Sequence, residues 1–161
     1  MNAIVNRTFI RRLLTLGCLC FVLAGQHAGA VGGGSPDPSS IPVLQALRVQ
    51  VGGLDQDILA VTSAVEPSDL PVMRQLADEL ARIDAHFALA AVGGGTPDPS
   101  GATVNQTLLA LRAEAWKVRE HVGYALAKVS GNATFAQITK TLRFMQATAV
   151  TLIARIDYAL P

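Results

Sequence analysis

The sequence predicts an all-α protein: an antiparallel four-helix bundle made from two duplicated helical hairpins. Three observations predict it. The first is a repeated string. Ala30-Val31-Gly32-Gly33-Gly34-Ser35-Pro36-Asp37-Pro38-Ser39 returns as Ala91-Val92-Gly93-Gly94-Gly95-Thr96-Pro97-Asp98-Pro99-Ser100, with Ser35 to Thr96 the only change. A near-identity of this length marks a duplicated unit. The second is apolar spacing in steps of three and four. The third is composition: hydrophobic residues make up 50 % of the chain and aromatics only 5 %, so Ala, Leu, Val and Ile build the core and favour helix.

The first thirty residues read as a secretory signal peptide, not as part of the fold. Arg7, Arg11 and Arg12 form a basic start, residues 13–25 an apolar run, and Ala28-Gly29-Ala30 a small-x-small cleavage site. The run is shorter than the roughly 20 residues that span a bilayer. Leu16-Gly17-Cys18 also resembles part of a lipobox, so the alternatives to simple cleavage are an uncleaved membrane anchor and lipidation of Cys18. Cleavage after Ala30 removes both cysteines, Cys18 and Cys20, and leaves a net charge of −2. The expected product is a secreted or periplasmic chain that folds without disulfides.

Residues 31–40 follow as a Gly/Pro-rich loop, because three glycines and Pro-Asp-Pro suit neither a helix interior nor a central strand. The bundle is expected over 41–161: a first hairpin over 41–91, the second loop over 92–101, and a second hairpin over 102–160. Ser39-Ser40-Ile41-Pro42 opens the first helix with a serine cap and a proline in the first turn, and Ser68-Asp69-Leu70-Pro71 opens the second in the same way. Ser100-Gly101-Ala102-Thr103 and Ser130-Gly131-Asn132-Ala133 open the other two. These starts give helices over 41–65, 69–91, 102–129 and 133–160, with short connections at 66–68 and 130–132 that make antiparallel neighbours.

Each segment carries one apolar seam. The first runs Leu44, Leu47, Val51, Leu54, Ile58, Val61 and Val65; the second Met73, Leu76, Leu80, Ile83, Phe87 and Ala90. The third runs Val104, Leu108, Leu111, Ala115, Val118, Val122, Ala125 and Val129; the fourth Phe135, Ile138, Leu142, Met145, Ala149, Leu152, Ile156 and Ala159. Alternating steps keep one stripe facing its partners, and no charged side chain falls within a seam. Gly52-Gly53 lies inside the first segment, but Val51 and Leu54 hold the register across it, so the helix is expected to continue. Charge divides by half: residues 31–91 carry three basic and eight acidic groups, residues 92–161 seven and four. Opposite halves should attract when the hairpins dock.

The signals for chemistry are sparse. His86 and His121 each precede a seam residue, and Met73 and Met145 lie within seams. These four are the candidate haem ligands, although there is no C-x-x-C-H for covalent attachment and no E-x-x-H pair for a metal. Asp78, Glu79, Asp84, Glu114 and Glu120 read as a solvated face rather than acid–base pairs. There is no G-x-S-x-G and no Walker-type phosphate loop. The chain is therefore expected not to be an enzyme, and its near-neutral charge argues against a nucleic-acid partner. Asn105-Gln106-Thr107 and Asn132-Ala133-Thr134 match the glycosylation acceptor pattern, with Asn132 better explained as a helix cap.

Leu109, Trp116, Phe144, Val150 and Tyr158 miss the seams. They are the candidate interaction surface, since exposed apolar groups mark partner or membrane surfaces. The functional expectation is a non-enzymatic bundle that binds another protein or an envelope or cell-wall surface. The alternative is a carrier holding an apolar small molecule or haem between the hairpins.

Overall fold

The computed structural model describes residues 40–90 and 101–160. The candidate signal peptide, Cys18 and the two Gly/Pro strings lie outside the described residues. Four helices carry the fold: α1 (Ile41–Thr62), α2 (Leu70–Ala90), α3 (Gly101–Val129) and α4 (Ala136–Ala159). Short 3-10 turns at Pro67–Asp69 and Ala133–Phe135 lead into α2 and α4, and among the described residues there is no strand.

Most of the expected seam residues form the core; Val61, Val65, Ala90, Phe135 and Ala159 are only half-buried, and Ala77 and Ile153 join the core from outside the seams. Leu44, Leu80, Phe87, Leu111, Val118 and Leu142 are fully buried, and the same apolar cluster runs through all four helices. Burying a side chain of this size contributes about 1.5–3 kcal/mol. Short isolated helices are marginal in water, so the shared core is what holds them.

The first helix ends at Thr62, three residues before the expected Val65. Pro67 disfavours helical geometry at the residue before it, and Glu66 is extended, with φ −119° and ψ 154°. The Glu66 N–H instead donates to Asp69 Oδ2 at 2.8 Å. At the second turn Gly131 takes φ +87°, which glycine adopts without strain. Asn132 Oδ1 accepts from the Thr134 N–H at 3.0 Å, so Asn132 does act as a cap. Phe135 sits in the turn and is only half-buried. Gly52 and Gly53 lie within an unbroken α1.

α1 packs on α2 and α3, and α4 packs on α2 and α3, leaving α1 and α4 on one diagonal. Directions follow from the pairs. Asp55 meets His121, and Lys128 Nζ donates to the Thr62 carbonyl, so α1 and α3 run parallel. Arg112 meets Asp157, and Gly123 faces Gln146, so α3 and α4 run antiparallel. The two hairpins thus lie side by side with like helices adjacent. The repeated strings are 61 residues apart (31 against 92), whereas the 3-10 turns are 66 apart (67 against 133). The second unit therefore gained about five residues before its turn, roughly 7.5 Å of helix, and α3 has 29 residues to the 22 of α1.

Candidate functional site

The five off-seam side chains are all exposed: Leu109 51 %, Trp116 41 %, Phe144 51 %, Val150 46 % and Tyr158 82 %. They do not share one face. Gln146 and Asp157 turn one flank of α4 toward α3, and Val150 lies on that flank. Leu109 and Trp116 lie seven residues apart on the adjoining flank of α3. Phe144 and Tyr158 follow the other flank of α4, the side on which Arg155 reaches Asp84 of α2 at 3.6 Å. The expected patch therefore splits into an α3–α4 face and an α2–α4 edge.

The α3–α4 face also carries cations. The Arg119 guanidinium lies 4.4 Å from the centroid of the Trp116 ring, a cation–π contact. Antiparallel pairing puts Val150 level with Arg119. Arg143, seven residues before Val150, continues that flank, and Lys140 stands on the outer ridge of α4.

The two candidate haem-ligating histidines are not brought together. Met73 and Met145 are buried within the apolar core at 1 % exposure, whereas His86 is exposed on α2. The helix pairings set His86 level with Arg112, nine residues and roughly 13 Å along the axis from His121. His121 is committed elsewhere: its Nδ1 lies 2.7 Å from Asp55 Oδ1, and the Asp55 side chain is 1 % exposed.

That buried pair escaped the sequence reading. Asp55 follows Leu54 and His121 precedes Val122, positions that flank the seams of two helices belonging to different hairpins. Beside the pair, an open groove of about 500 Å³ is lined by Leu59, Thr62, Ser63, Tyr124 and Lys128 as well as His121. Tyr124 donates to Glu120 at 3.1 Å, and this bond to an anion pushes its phenol up.

The acidic candidates do not form a catalytic pair. Glu114 binds Lys117 at 3.1 Å. Burial raises Asp84 above the ordinary carboxylate range, with Arg155 opposing it. Burial also raises Glu79, opposed by Arg82 and reinforced by the charge of Asp57. Among the described residues no three metal-ligating side chains cluster. Asn105 is half-buried and Asn132 exposed.

The ion pairs between the hairpins share one polarity. In Asp55–His121 and Asp84–Arg155 the acid comes from the first hairpin and the base from the second. No protein-family model, curated protein or solved structure matches the chain.

Proposed function

We propose that this protein is an exported, non-enzymatic helical bundle that acts by presenting a helix face to another macromolecule or to an envelope surface. The observation that carries this reading is the exposure of Leu109, Trp116 and Val150 along the adjoining flanks of α3 and α4. Exposed apolar groups of this size are more costly to keep in water than in a contact. The basic start, apolar run and small-residue site within residues 1–30 support export. Among the described residues no helix is long and apolar enough to cross a membrane.

The test is photo-crosslinking in the native host, with the photoreactive side chain at position 150 and, as a control, at Arg82 on the opposite hairpin. Position 150 should give discrete cross-linked products and position 82 should not. Equal labelling from both positions, or none from position 150, would reject the α3–α4 face as the working surface.

A further inference from the structure

Resting on the reading of α3–α4 as the working face, we infer that its partner is an anionic lipid surface. Charge is the first argument. Residues 41–90 hold three basic and seven acidic side chains, net −4, and residues 101–160 hold seven and three, net +4. Because the hairpins lie side by side, this asymmetry gives the molecule a positive side and a negative side. On the positive side Arg119 and Arg143 flank Trp116 and Val150, and two acids stand among them: Asp157, taken up by Arg112, and Glu120, which accepts from Tyr124. The opposite α1–α2 side holds Asp57, Asp78 and Glu79 against Arg82.

A polarised rod of this kind turns its positive side toward an anionic plane and its negative side away. Composition is the second argument. Tryptophan, leucine and valine among arginine and lysine suit the boundary between headgroups and acyl chains, where the indole enters and the cationic heads stay wet. Shape is the third. Two neighbouring helices present a broad ridge rather than a cleft, and the groove lined by His121 and Lys128 opens on the other flank of α3. A bilayer fits such a ridge better than a single peptide helix does.

Trp116 is the sole tryptophan of the chain, so its emission reports this face directly. Protein purified from its own host after export is mixed with vesicles of phosphatidylglycerol and phosphatidylcholine, or of phosphatidylcholine alone. Emission should shift to the blue and the protein should sediment with the anionic vesicles only, and high salt should reverse both. Losing a cation weakens such partitioning about fivefold, so Arg119→Gln with Arg143→Gln should weaken it about 25-fold. Arg82→Gln should leave it unchanged, and unaltered circular dichroism shows that the variants remain folded.

Equal binding to both vesicle types, or no shift with anionic vesicles, overturns the inference. So does salt-sensitive self-association in which the acidic side of one copy covers the basic side of another. If vesicles leave Trp116 unmoved while position 150 cross-links to a protein, the lipid assignment fails and the interaction reading stands. If both experiments are negative, both fail.

Discussion

At Asp55 a carboxyl group is removed from water and is met by one histidine across the α1–α3 seam. Taking one member away leaves the other stranded, which is more damaging than replacing both. His121→Ala should cost about 3–5 kcal/mol, whereas the double variant Asp55→Leu/His121→Leu should cost much less. Denaturant midpoints of the single and double variants measure this; equal losses would show that the pair holds nothing together. Glu79 gives the pH prediction. Its folded form resists ionisation, so the group destabilises the fold above its raised pKa, and that penalty fades as pH falls to the ordinary glutamate value. Glu79→Gln should therefore raise Tm at neutral pH, with the gain gone by about pH 3. Calorimetry across that range checks it, and a gain that grows in acid would contradict the sign.

The helices repeat the spacing of the sequence closely, because an apolar stripe in steps of three and four has one way to face a partner. Their ends were less legible. Val65 fits the stripe of α1, but Pro67 dictates the backbone at Glu66 and stops the helix at Thr62. Gly52 and Gly53 could be read as a site of close approach. In the fold a methyl at Gly52 would meet only the Glu114 carboxylate, at 3.8 Å, and one at Gly53 would meet nothing within 4 Å. Each glycine to alanine change should thus add about 0.5–1 kcal/mol of stability, read as a higher denaturant midpoint. A loss at Gly52 would mean that the α1–α3 distance is set by the bare backbone. The candidate surface was legible residue by residue but not as a surface. Six residues apart, Phe144 and Val150 stand about 120° apart around α4; the pairing of α4 with both neighbours decides which face each joins.

For the whole molecule, the division of charge between the two halves has a local counterpart: in Asp55–His121 and Asp84–Arg155 the acid comes from the first hairpin and the basic side chain from the second. Exposed pairs contribute little, about 0–1 kcal/mol each, but Asp55 is buried and Asp84 largely so. Raising salt should lower Tm modestly through the Asp84–Arg155 pair and the general attraction of the halves, and thermal melts insensitive to salt would show that the asymmetry has no part in docking. What the sequence could not supply was the arrangement of the hairpins. Seams alone allow like helices to sit diagonally or side by side, and the side chains that choose, Asp55 and His121, stand just outside the seams.

That arrangement decides which faces remain open, so it is the claim on which the rest depends. Distances between paired spin labels measure it most directly. Ser63 and Ser130 are exposed beyond the ends of α1 and α3, and Thr103 is exposed near the start of α3. With α1 and α3 adjacent and parallel, labels at 63 and 130 should lie within about 20 Å, the span of two helix diameters. Labels at 63 and 103 should lie roughly 40 Å apart, the rise of the 27 residues between 103 and 130. A short 63–103 distance and a long 63–130 distance would mean that α1 and α3 run in opposite directions, and the side-by-side packing of like helices would be wrong.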